Sequence, residues 1–245
     1  MFFDPMYLLF VLVPGLVLSG LASMLVHSRF KHYSQVPTTR GYTGAMAAKK
    51  LLDRAGIHDV TITRVNGFLH DHYDPTTKTL ALSPDVFDRN SVAAIGVATH
   101  EAGHAIQHAV GYYPLKWRSM LVPAVQFGSP ISSWTIILGG MLWGGAGVAG
   151  GTASTIGYGV MILGIALFSL VVLFQLVTLP VEFNASNRAK QLVVEAGIVT
   201  DLERDGIDKV LGAAALTYVA AFVSSLLTLL YFLWRAGLLG GRSND

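Results

Sequence analysis

Hydrophobic positions run in long unbroken blocks along this chain, and polar positions gather between them. Three stretches carry no Asp, Glu, Lys or Arg: Pro5 to Ser28, Ser119 to Val181 and Val210 to Trp234. A spanning helix needs roughly 20 mostly apolar residues. The first and last stretches each predict one helix. The middle one is long enough for two, with the glycine-rich GGAGVAGG (Gly144 to Gly151) as the turn between them. The pattern predicts transmembrane helices over 5–28, 119–145, 153–180 and 210–235, separated by soluble segments 29–118 and 181–209. The fold class expected is an α-helical multi-pass membrane protein, with about four transmembrane helices and a small α+β domain.

The soluble segments carry finer patterns. TGAMAAKKLLDRAG reads as a helix with Thr43 as its N-cap, Ala47, Leu51 and Leu52 on one side, and Gly56 ending it. VTITRV (Val60 to Val65) and KTLALS (Lys78 to Ser83) read as two strands of a hairpin joined by a long connection containing HDHYDPTT. Ser91 then caps a helix through SVAAIGVATHEAGHAIQHAV, which stops at Gly111 and Pro114. Glu182 to Ala196 predict a further soluble helix, closed by Gly197.

Composition sharpens this picture. The 245 residues are 52% hydrophobic and 13% charged, and average globular chains carry about twice that charge. There is no cysteine, which excludes disulfides and thiolate metal sites. A net charge of +2 gives no reason to expect nucleic acid as a partner; the lipid bilayer is the expected one. The start, MFFDPM, has no basic residue, so the first apolar block reads as a retained anchor rather than a cleaved signal. Arg29, Lys31, Lys116, Arg118, Arg188, Lys190 and Lys209 flank the spans, which places both soluble segments in the cytoplasm of a cell-membrane protein. Arg235 and Arg242 pull the other way.

The chemistry lies in ATHEAGHAIQHAVG. Residues four apart share a helix face, about 6 Å apart along the axis. His100 and His104 can therefore both turn a ring nitrogen towards one zinc ion at about 2.0–2.1 Å. Glu101 stands beside them, off the ligand line, where a glutamate acts as general base on a water whose pKa zinc lowers to about 7. His108 lies about 12 Å from His100 along a straight helix, so one ion cannot bridge both, and a substrate-side or outer-sphere role suits it better. The third ligand expected is Glu182, at the end of the long uncharged run. A run crossed twice returns the chain to the side it left, so both sequence sites can reach the same metal. The alternative is that Glu182 only neutralises the start of a helix.

HEAGHAIQH, HDHYDP, LSPDVF, VEFNASNRA and AALTYVA together resemble the YugP family of membrane zinc metallopeptidases, over nearly the whole chain. More distantly the chain is similar to the HtpX and CAAX prenyl proteases. The resemblance implies a gluzincin-like domain, one zinc and a protein or peptide substrate. In those proteases the ligand glutamate begins an E-F-x-A-D pattern; here EFNAS keeps Glu182, with Ser186 where an aspartate would orient a zinc-binding histidine. Ser186 accepts the same bond without charge, or Asn184 or Asn187 takes the task. His72 or Tyr73 in HDHYD is a candidate donor to the oxyanion of a tetrahedral intermediate. Strand KTLALS is a candidate edge for pairing with an extended peptide. Two rival readings remain. An intramembrane site-2-type protease would take an aspartate ligand from a transmembrane segment, and the uncharged runs contain none. A non-catalytic zinc-binding scaffold would have no use for Glu101.

Overall fold

The computed structural model describes residues 4–67, 70–146 and 151–240. Much of the expected GGAGVAGG turn, and Arg242, lie outside the described residues. In chain order the elements are α1 (Pro5–Tyr33, with a π-helical turn at Leu8–Leu12), α2 (Gly44–Arg54), β1 (Thr61–Arg64), β2 (His72–Asp74), β3 (Thr79–Leu82), the single turn α3 (Pro84–Phe87), α4 (Val92–Ala109), α5 (Tyr113–Ala146), α6 (Thr152–Glu195) and α7 (Asp201–Arg235). Four of these, α1, α5, α6 and α7, are long and apolar enough to cross a membrane.

The chain divides into two compact units. One contains Met1–Gly20, Trp117–Thr178 and Val219–Asp245, drawn from the four long helices. Its inner faces bury Tyr7, Val11, Ile136, Met161, Ile165 and Phe232. Glycine lets α5 and α6 approach backbone to backbone. A Cβ on Gly139 would stand 2.4 Å from the Met161 nitrogen, and one on Gly157 would stand 2.4 Å from the Trp143 nitrogen. Small residues at such crossings are how helices associate in lipid, where no hydrophobic force drives them together. Leu16, Met120, Phe127, Trp134 and Met141 are exposed on these helices, as side chains facing acyl chains would be.

The other unit contains Leu21–Lys116 and Leu179–Tyr218. Its core packs Ala47, Leu51 and Leu52 of α2 with Ile95, Ala98 and Ala102 of α4, Leu80 and Leu82 of β3, and Ala189 and Val193 of α6. Both predicted caps are present: Thr43 Oγ1 accepts from the Met46 amide at 3.3 Å, and Ser91 Oγ from the Ala94 amide at 3.2 Å. The sheet differs from the expected hairpin. Its order is β1-β3-β2, with β1 parallel to β3 and β2 antiparallel to it. A parallel pair needs a crossover of about a dozen residues or more, and the segment between β1 and β3 supplies it while folding its own middle, His72–Asp74, back as β2. KTLALS is thereby the central strand, paired on both sides, and the free edges belong to β1 and β2.

Expected helix limits also shift. No break separates the third span from the segment carrying Glu182; α6 continues through Pro180 to Glu195 and ends at Gly197, whose φ is 62°. At 1.5 Å per residue, 44 residues extend roughly 66 Å, about twice a bilayer core. The helix therefore runs past its apolar stretch, and the excess carries Glu182, Ser186 and Arg188.

Candidate metal centre

Two helices build the site. His100 and His104 occupy one face of α4, their rings edge to face with centroids 4.8 Å apart. Glu182 comes from α6, only 2% exposed. Its Oε2 lies 3.3 Å from His100 Nε2 and 3.5 Å from His104 Nε2, and the three donors lie within 4.8 Å of one another. Ligands about 2.0–2.1 Å from a tetrahedral zinc stand about 3.3–3.4 Å apart along each edge. Two of the three edges, at 3.3 Å and 3.5 Å, are close to that length, and two imidazoles with one carboxylate are an ordinary donor set for catalytic zinc. The residues fit the metal.

Such close approach needs small residues. A Cβ on Gly103 would meet the Ala185 carbonyl oxygen at 2.8 Å. Alanine at 185 is itself fully buried. Gly103 thus lets α6 lie against the ligand helix, close enough for one carboxylate to reach both rings.

The outer ring nitrogens are held as well. His100 Nδ1 bonds Ser186 Oγ at 3.1 Å, and His104 Nδ1 bonds Gln107 Oε1 at 3.0 Å. Gln107 is fully buried and donates through Nε2 to the Val181 carbonyl at 2.8 Å and to Asn184 Oδ1 at 3.0 Å. Asn184 Oδ1 also accepts from Arg188 Nε at 2.8 Å. The Gln107 amide oxygen favours the ring proton on His104 Nδ1, and Ser186 Oγ can accept from His100 Nδ1; in that tautomer both Nε2 lone pairs are available to a metal. Sequence reasoning did not find Gln107, although a polar residue one turn after His104 on an otherwise apolar helix is the signal it carries. Substituting Ser186 by alanine is expected to weaken zinc binding about 10-fold, at the low end for outer-sphere partners, because Ser186 is neutral; a competitive titration against a chelating dye would measure it.

The other expected residues lie elsewhere. His108 does not join the three donors. Its Nδ1 bonds the Tyr73 hydroxyl at 2.9 Å, and the pair lines a cavity of about 330 Å³ with Asp59 and Lys78. His72 is exposed, with Nδ1 on the His70 carbonyl at 2.8 Å. Asn187 is exposed. Glu101 lines a second cavity, of about 280 Å³, with His100. Asp71 lines that cavity too, a residue that HDHYD contains but that sequence reasoning passed over for its neighbours. Its carboxylate accepts from the Ser83 amide at 2.7 Å and from Ser83 Oγ at 3.0 Å and 3.1 Å. Burial pushes the Asp71 carboxyl above its ordinary range, against the pull of the Ser83 hydrogen bonds, and the Glu101 charge pushes it further.

No solved structure matches this chain. A relative from Bacillus subtilis (strain 168), described as "Putative membrane protease YugP", is 46% identical over 227 residues, covering 93% of this chain and 95% of the relative. A family profile described as "Putative neutral zinc metallopeptidase" matches residues 8–237. Similarity at this level, running through every element that builds the site, makes this chain a member of that zinc metallopeptidase family.

Proposed function

We propose that this protein is a membrane-anchored zinc endopeptidase in which His100, His104 and Glu182 hold one zinc ion and Glu101 is the general base. The observation that carries the reading is the convergence of the three donors from two separate helices, with Glu101 on the cavity that His100 also lines. Bound zinc would polarise the scissile carbonyl and acidify the attacking water. Glu101 takes the proton of that water and delivers it to the leaving amide nitrogen. Ser186 and Gln107 keep the two rings in the tautomer that presents Nε2. Tyr73 and His108 tie β2, an edge strand of the sheet, to the metal-binding helix. The four long helices form the membrane part of a gluzincin-like enzyme, and residues 29–118 with 181–209 form the peptidase part.

Purified protein in detergent should cleave an unfolded reporter such as casein, lose that activity on dialysis against a strong chelator, and regain it with about one equivalent of zinc. Cleavage unaffected by complete metal removal would end the proposal. The basic flanks support a site on the cytoplasmic side. Because the chain has no cysteine, Lys49→Cys supplies a single exposed thiol. A membrane-impermeant maleimide should label it only after the membrane is opened; labelling of intact cells would reverse the orientation.

A further inference from the structure

The cavity beside Glu101 joins apolar walls to a polar face. Val26 and Phe30 come from α1, Val97 from α4, and Val210, Leu211 and Ala214 from α7; His100, Glu101, Asp71, Thr217 and Tyr218 complete it. Apolar side chains thus stand on three sides of a space whose remaining face contains a candidate zinc ligand and the candidate base. Two of the walls belong to helices long and apolar enough to cross a bilayer.

We propose that this cavity is the specificity pocket of the peptidase and that it takes one bulky apolar side chain, of leucine or phenylalanine size, next to the bond that is cut. The inference rests on the endopeptidase reading above and names what that reading leaves open, the class of substrate. Three observations select this occupant. At about 280 Å³ the cavity exceeds a leucine or phenylalanine side chain and is too small for a folded element. Its continuity with His100 and Glu101 ties the occupant to the peptide held at the metal. Of the side chains that α1 and α7 turn to it, Val26, Phe30, Val210, Leu211 and Ala214 are apolar, and Asp71, the acid there besides the candidate base, already accepts from the amide and hydroxyl of Ser83. The substrates implied are extended peptide segments with a bulky apolar residue next to the cut.

Ala214 is the smallest side chain in the lining. Phenylalanine there would fill the pocket, whereas Leu211→Ala would enlarge it. The test measures binding rather than turnover. Glu101→Gln protein, silent in cleavage, is titrated by fluorescence anisotropy with labelled peptides that differ at one position: Ala, Leu, Phe or Lys. Leucine should bind about tenfold tighter than alanine, since one methylene in a hydrophobic pocket is worth about 10-fold or more and leucine adds three carbons. The Ala214→Phe change in the same background should erase this preference, and Leu211→Ala should move it from leucine towards phenylalanine. Zinc content of each variant reports whether it has folded, and if Ala214→Phe does not fold, the Leu211→Ala shift decides.

A flat response to side-chain size overturns the proposal. So does tightest binding of the lysine peptide, which would make Asp71 a cation anchor. A phospholipid that co-purifies with the protein and is displaced by Ala214→Phe, with peptide binding insensitive to residue size, would assign the cavity to an acyl chain and overturn it equally. The two readings fail separately. If size-dependent binding holds but the wild-type chain cuts nothing, the endopeptidase reading falls and the pocket stands. If the chain cuts without regard to side-chain size, the pocket falls and the peptidase stands.

Discussion

Replacing Glu182 by alanine is expected to strip the protein of zinc while leaving most of its helices in place. The carboxylate is the one donor that does not come from α4. Without it, His100 and His104 offer two nitrogens from a single helix face, and Glu101, the acid nearby, is not among the converging donors. Outer-sphere changes at such sites cost about 10–100-fold in affinity, so loss of a direct ligand should cost more than about 100-fold. Thermal unfolding gives an independent reading. At zinc a hundredfold above its dissociation constant, the wild-type protein gains about 2.7 kcal/mol of stability. A variant bound 100-fold more weakly gains only about 0.4 kcal/mol from the same zinc. The wild-type melting temperature should therefore climb with added zinc and that of Glu182→Ala should hardly move. Full zinc content in the purified variant would remove Glu182 from the ligand set, and with it the reason for α6 to pass so close to His100 and His104.

The same residues show what a sequence can and cannot disclose. The pairing of HEAGH with Glu182, some eighty residues later, was readable because the uncharged run between them has a physical length. It fits two spanning helices and so returns the chain to one side. The caps at Thr43 and Ser91 were readable because capping is a local exchange of one hydrogen bond. The sheet was not. β2 is three residues long, too short for an alternation to register, and His, Tyr and Asp are as common in turns as in strands. The unbroken course of α6 through Pro180 was hidden for another reason. Proline and the charges after it are ordinary end signals, yet the helix continues past them to the turn that packs against Gly103 of α4. Gln107 and Asp71 were missed because their roles depend on which neighbours the fold supplies: Val181 and Asn184 for one, Ser83 for the other.

A second carboxylate should behave in the opposite way. Glu101→Gln is expected to retain zinc, melt with the wild-type protein and respond equally to added metal, yet lose about 10²–10⁴-fold in kcat, the usual share of a general base. The substitution keeps the shape of the side chain and removes only its capacity to take a proton. Glu101 is not among the three converging donors, so metal affinity has no reason to change. It lies instead on the cavity wall beside His100, where an attacking water and a peptide would meet. The contrast between the two glutamates separates a peptidase from a protein that only stores or is braced by zinc. A scaffold would lose its function with Glu182 and be indifferent to Glu101. Cleavage of an unfolded reporter by Glu101→Gln at the wild-type rate, with zinc fully loaded, would therefore leave the metal site standing and take away the enzyme.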